Sequence, residues 1–136
     1  MLDKFDITDL LGKEYELDGR GPDRFDCWGL CVEVGKRAGI NFIDGERPED
    51  NALKLQAFEK GKEDCFVQIE KPKPFCIVLF RMPPPIIWHT GIVLPDNKTF
   101  VHILEQCTVC VERFSGPDWD SRWSRRFKGF YEYRKQ

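Results

Sequence analysis

Three residues in one order suggest covalent chemistry. Cys27 stands in Phe25-Asp26-Cys27-Trp28-Gly29-Leu30-Cys31, His89 in Trp88-His89-Thr90-Gly91-Ile92-Val93-Leu94, and His102 follows shortly after. A thiol that opens a helix, followed by an imidazole on one strand and a second imidazole on the next, is the layout of a nucleophile, its base and the group that orients the base. A helix N-terminus and a nearby histidine both favour a thiolate, so Cys27 is expected to ionise below an ordinary thiol. His89 would take the thiol proton and return it to a leaving amine. His102 would fix the tautomer of His89, and N–H groups of the first helical turn would face an oxyanion.

The elements that must position these groups follow from pattern. Asp6 to Gly12 reads as a short capped helical turn, and Lys13 to Asp26 as a loop whose Gly19-Arg20-Gly21-Pro22-Asp23 is turn chemistry. Asp26 is a plausible N-cap, and Leu30, Val34 and Ala38 recur at helical spacing, which predicts a helix from about Cys27 to Ala38 ending at Gly39. Glu49 to Lys62, carrying Leu53, Leu55 and Phe58 between Pro48 and Gly61, predicts a second, largely exposed helix without chemistry. Phe66 to Ile69 and Cys76 to Phe80 have strand length, and Pro83-Pro84-Pro85 marks a loop beside the site.

Trp88 to Leu94, a turn at Pro95-Asp96-Asn97-Lys98, and Thr99 to Leu104 predict an antiparallel hairpin. Alternate residues share a face, and an even loop pairs odd positions before the turn with even positions after it. His89 and His102 therefore land on one face as direct or diagonal neighbours. Gln106 to Phe114 offers one more strand, and Arg126 to Tyr133 is expected to close the sheet.

Composition bounds the rest. A chain of 136 residues, 41% hydrophobic and 13% aromatic, can bury one core, so residues 1–136 read as a single domain. With 21 basic against 23 acidic residues the formal charge is −2, which gives no field for nucleic acid or an anionic membrane surface. No signal-peptide stretch and no run near the roughly 20 apolar residues of a spanning helix is present. Synthesis in the cytoplasm is expected, with export only as part of a larger assembly. The six cysteines show no framework spacing and are expected as free thiols. Cys107-Thr108-Val109-Cys110 imitates a zinc half-site, yet the other half is missing, so no metal is expected. Cys65, Cys76 and Cys107 are expected as small buried hydrophobes.

Bland readings compete. Composition alone allows a buried structural cysteine at 27, a strand histidine satisfied by a loop carbonyl at 89 and a core-edge histidine at 102. What favours chemistry is coincidence, since the chain's only two histidines fall on one hairpin face opposite the predicted helix start. Trp88, Trp119 and Trp123 read as core aromatics. Arg20 and Arg24 flank the loop before Cys27 and could meet a substrate carboxylate, although exposed loop arginines usually meet only water.

These residues resemble the NlpC-type cysteine peptidases of bacterial cell walls, from about Leu10 to Tyr133. The matching segments are Tyr15, Asp26-Cys27-Trp28-Gly29-Leu30, His89-Thr90-Gly91-Ile92 and His102. The resemblance implies an α+β fold, a papain-like minimal core with N-terminal helices packed on a central antiparallel β-sheet of about five to six strands. It also implies Cys27 as nucleophile, His89 as base, His102 as orienter and Tyr15 as a contributor to the oxyanion site, with no cofactor. The implied substrate is a peptidoglycan stem peptide, cut typically between D-glutamate and a diamino acid. Trp28 and the ending Gly129-Phe130-Tyr131-Glu132-Tyr133-Arg134 look like the bacteriophage and prophage branch, which implies tail-tip proteins as partners and action at the host wall. No wall-binding repeat is attached, so targeting is expected from the tail assembly. Relatives usually carry Gly-Asp where this chain has Phe75-Cys76, which predicts a differently shaped turn. Two alternatives stand beside the peptidase: a catalytically silent tail-assembly component, and a thiol acyltransferase or amidase on the same scaffold.

Overall fold

The computed structural model describes residues 5–45, 51–84 and 88–134, and the side chains of 51–55 lie outside that description. The roles expected of Pro48, Pro85, Leu53 and Leu55 therefore fall outside the described residues.

A short 3-10 turn at Thr8–Leu10 opens the described chain, with Asp6 Oδ1 accepting from Thr8 N at 2.8 Å. Two two-residue strands follow, β1 (Glu14–Tyr15) and β2 (Arg24–Phe25), paired in parallel. They deliver the chain to α1 (Cys27–Arg37), which is capped as its sequence dictates. Asp26 Oδ1 accepts from Gly29 N at 2.6 Å, satisfying one of the orphan donors of the first turn. Gly39, with φ +83°, ends the helix in the left-handed region that glycine alone adopts freely. Arg37, in the last turn of α1, reaches Asp9 at 2.6 Å and so pins the N-terminal turn against the helix.

α2 (Asn51–Cys65) runs straight into β3 (Phe66–Ile69). The remaining strands are β4 (Ile77–Arg81), β5 (Trp88–Val93), β6 (Thr99–His102), β7 (Cys110–Arg113) and β8 (Phe127–Tyr133), with a π-type turn at Trp119–Trp123 before the last. β3 to β8 form one antiparallel sheet in the order β3-β8-β4-β5-β6-β7. This is the expected α+β architecture. One expectation is corrected: β8 does not close the sheet but threads between β3 and β4, because both of those strands offer it apolar partners.

Strand alternation sorts the core into two layers. Ile77, Ile92, Val101 and Ile103 pack with Leu30, Cys31 and Val34 of α1. Val78, Phe80, Val93 and Phe100 pack on the other face beneath Trp123 and Phe130. Phe75 occupies the left-handed region at φ +67°, 7% exposed, and its N–H donates to Val93 O at 2.7 Å. A bulky residue bears that strain only where burial and a hydrogen bond hold it, so the Phe75-Cys76 turn keeps a glycine's backbone shape without the glycine.

Of the glycines, Gly29 has the least room for a side chain. A Cβ there would lie 1.9 Å from the Gly19 carbonyl oxygen, a backbone atom that cannot swing aside. Gly29→Ala is expected to cost on the order of 2 kcal/mol or more and to lower Tm by about 6 °C or more. Gly61→Ala, inside α2 with open space around it, is expected to hold or raise Tm. Thermal melts of the two variants check this, and equal effects would contradict the packing of α1 on the glycine loop.

Candidate active site

Cys27 is the first residue of α1, half-buried, and flanked by a cap whose every partner is fixed. Asp26 Oδ1 also accepts from Arg20 Nη1 at 2.8 Å, and the Arg20 fork holds Asp44 through Nε at 2.9 Å and Nη2 at 3.0 Å. Arg20 is thus held by the helix cap and Asp44, and it lines the cavity beside them. Arg24 meets Glu14 at 3.7 Å on the surface, a pair worth little in water. The Cys27 sulfur lies beside the N–H and hydroxyl of Thr90 on β5. Thr90 also accepts from Cys31 Sγ at 3.8 Å, one turn deeper on α1.

The expectation of a thiol activated below its usual range is reversed. Burial of the sulfur comes first and the Asp26 carboxylate second, and together they outweigh the N–H dipoles of Thr90 and Trp28 and push the Cys27 thiol up. Taken by itself, Cys27 rests as a neutral thiol. Nucleophilic attack from that state needs a base to remove the proton as the bond forms.

His89 and His102 meet as the hairpin register requires. β5 and β6 share two rungs, Ile92–Val101 and Val93–Phe100. Beyond these rungs the imidazoles bridge the strands, His89 Nε2 to His102 Nδ1 at 2.7 Å. Both rings are sealed, at 2% and 1% exposure. Phe80 and Trp123 stack on His89 at 5.8 and 5.9 Å between centroids, and Trp123 meets His102 edge-on at 5.0 Å. Burial, with His102 beside it, holds His89 well below an ordinary histidine, so it rests neutral.

His89 and Thr90 leave opposite faces of β5. The imidazole lies in the Phe80 and Trp123 layer, while Thr90 faces α1 and Cys27. Among the described residues no hydrogen bond joins Cys27 Sγ to either imidazole, and His89 Nδ1 makes none. That nitrogen is not a sealed orphan either, for the buried partnerless atoms among the described residues are the indole Nε1 of Trp88 and Trp123. The structure thus brings the two histidines together and sets the thiol against the residue next to the first.

Glu112 on β7 is the residue that sequence reasoning missed. Its Oε2 lies 3.3 Å from His102 Nε2, and the hydrogen bond with His102 holds the carboxyl below its usual range. A carboxylate only accepts, so an arrangement with one hydrogen on each imidazole has a single order. His102 Nε2–H donates to Glu112, His89 Nε2–H donates to His102 Nδ1, and His89 Nδ1 keeps its lone pair. That lone pair is what a general base for a thiol requires. Nothing in the sequence distinguished Glu112 from the other 22 acids; only the β6–β7 register, with Phe100 opposite Glu112 and His102 opposite Cys110, sets it on the histidine face.

Tyr15, half-buried on β1, stands near the thiol. Its phenol is pushed up by burial first and then by Cys27 and Asp26, so it stays a neutral donor. A cavity of 520 Å³ opens beside the helix start, lined by Asp26 and Trp28 on either side of Cys27 and by Thr90, Leu79, Phe58 and Tyr131. It also carries Asp18, Asp64, Lys60 and Lys62, charges of both signs. Cys27 itself does not line it. All six cysteines are free thiols; Cys65 and Cys76 are buried as expected, whereas Cys107 is exposed.

Comparison with known proteins follows this geometry. The NlpC/P60 family matches residues 12–127. Among curated proteins none matches the chain. A solved structure described as similar to lipoprotein, NLP/P60 family, from Staphylococcus aureus superposes with a TM-score of 0.60 at 19% identity, over 94% of this chain and 39% of that one. NlpC2 from Trichomonas vaginalis gives 0.50 at 20% identity, over 90% of this chain and 42% of its own. NlpC1 from the same organism gives 0.47 at 21% identity, over 94% and 40%. The chain spans about two fifths of each solved relative, and at these identities the likeness is one of fold.

The buried imidazole sets a dependence of stability on pH. His89 binds a proton more weakly folded than unfolded, so its contribution is present above about pH 6.5 and is lost as pH falls below that value. The carboxylates held low in the fold, Glu112 among them, act only further down. Between about pH 6.5 and 5 the Tm of the native protein is therefore expected to fall, and that of His89→Gln to fall less. Parallel slopes in calorimetry would contradict a neutral buried His89.

Proposed function

Because the chain belongs to the NlpC/P60 family, we propose that it is a cysteine peptidase of the bacterial cell wall, one domain over residues 1–136. Cys27 is its nucleophile, His89 its base and His102 the group that orients the base. The observation that carries this reading is the 2.7 Å contact between the chain's two histidines, on the strand whose next residue touches Cys27. Nothing in packing alone asks for two sealed imidazoles in one core layer.

The reaction is acyl transfer. Cys27 Sγ attacks the amide carbonyl as its proton passes to His89 Nδ1, a transfer that requires these two groups, which share no hydrogen bond at rest, to come together around the substrate, and the same proton goes to the departing amine. Water then hydrolyses the thioester with His89 again as base. The N–H groups at the start of α1, with the neutral Tyr15 phenol, are the donors nearest the developing oxyanion. No cofactor enters any step.

The substrate is a peptidoglycan stem peptide, cut between D-glutamate and a diamino acid. A cavity with charges of both signs beside the helix start suits a peptide that carries both carboxylate and amine. Trp28 and the Gly129-Phe130-Tyr131 ending support a phage or prophage tail-associated enzyme that is made in the cytoplasm and acts at the host wall, with tail-tip proteins as partners. A silent tail-assembly component and a thiol acyltransferase or amidase share the scaffold, and product analysis separates all three.

Cys27→Ala is expected to stay folded and to lose at least a thousandfold of wall-peptide hydrolysis; His89→Ala is expected to lose roughly 10²- to 10⁴-fold. Mass spectrometry of muropeptides digested by each protein reads this out. Retained cleavage by Cys27→Ala would remove the nucleophile, and no cleavage by the native protein would favour the silent component.

A further inference from the structure

The zinc half-site in the sequence finds its other half in space. His102, Cys110 and Glu112 present one ligand atom each, all within 4.8 Å of one another. His102 Nε2 is 3.3 Å and Cys110 Sγ 3.9 Å from Glu112 Oε2. Tetrahedral zinc with bonds of about 2.0–2.3 Å sets its ligands about 3.3–3.8 Å apart, so small side-chain movements bring these three onto an ion. Cross-strand pairing of His102 with Cys110 holds two of them in register. Cys107 stands three residues before Cys110, the C-x-x-C spacing that lets a second thiol complete the set. The exposed Cys110 and Cys107 give an ion a way in, while His102 is sealed behind them.

We propose that His102, Cys110, Glu112 and Cys107 bind a soft divalent cation of the zinc class, and that its binding switches the hydrolase off. The switching half rests on the reading of His89 as base; the binding half does not. The cation takes His102 Nε2 and the Glu112 carboxylate, the two atoms that fix the direction of the hydrogen-bond chain. A metal-bound neutral imidazole carries its hydrogen on the other nitrogen, so His102 Nδ1–H now donates to His89 Nε2. The hydrogen of His89 moves to Nδ1, and the lone pair that would accept the thiol proton is gone. The imidazoles keep one hydrogen each, and every cysteine that ligates releases its proton to solvent.

The test separates the two halves. Cadmium is titrated into reduced Cys27→Ala protein, so that the nucleophile cannot contribute, and thiolate-to-metal ultraviolet absorption is followed. One equivalent is expected to bind, zinc is expected to displace it, and adding Cys110→Ser is expected to weaken binding at least tenfold. No absorption, or equal affinity with serine at 110, would overturn the site. Wall-peptide hydrolysis is then measured with zinc: native protein is expected to be inhibited, and Cys110→Ser to keep its basal rate and resist. Inhibition equal in both would overturn the switch, and binding without inhibition would do the same. If the native protein cleaves no wall peptide, the proposed function fails while the cadmium titration still decides the site.

Discussion

One contact orders the architecture around it: two imidazoles, both out of water, bonded at 2.7 Å. Each must arrive on the same sheet face from adjacent strands, which the even turn of the β5–β6 hairpin arranges. The face must also admit them. A Cβ at Gly91 would meet Phe100 Cδ2 at 2.9 Å and Val101 O at 3.1 Å, so glycine there lets β5 and the Phe100 ring approach. Phe80 and Trp123 then exclude solvent, which strengthens the hydrogen-bond chain and keeps His89 neutral. Glu112 closes that chain and gives it direction.

The thiol is held by a separate apparatus, at the Thr90 end of β5. Arg20 clamps Asp26 and Asp44, Asp26 caps α1, and Gly29 lets the helix sit on the Gly19 carbonyl. The two halves meet at β5, where Thr90 faces the sulfur and His89 faces the histidine layer.

Much of this was legible. The N-cap at Asp26, the helix from Cys27 and the hairpin register follow from spacing alone, and the register placed His89 beside His102 without knowledge of any other strand. What stayed hidden lies across strands distant in sequence. The insertion of β8 between β3 and β4 depends on apolar complementarity that no local pattern carries. Glu112 is ordinary until β7 pairs with β6. The same pairing turns Cys110 from half of a motif into a neighbour of His102 and Glu112. Sequence argument failed at the thiol for another reason: a helix terminus is visible in a string, whereas burial of the sulfur beside Asp26 is not, and burial weighs more.

The claim beneath all of this is the direction of one hydrogen-bond chain, from His89 through His102 to Glu112. The protein has only two histidines, so nitrogen-15 NMR of the imidazoles at neutral pH, free of metal, reads the chain without ambiguity of assignment class. The account predicts hydrogen on Nε2 of both rings and a bare Nδ1 on His89. Hydrogen on Nδ1 of His89 in the resting protein would contradict it.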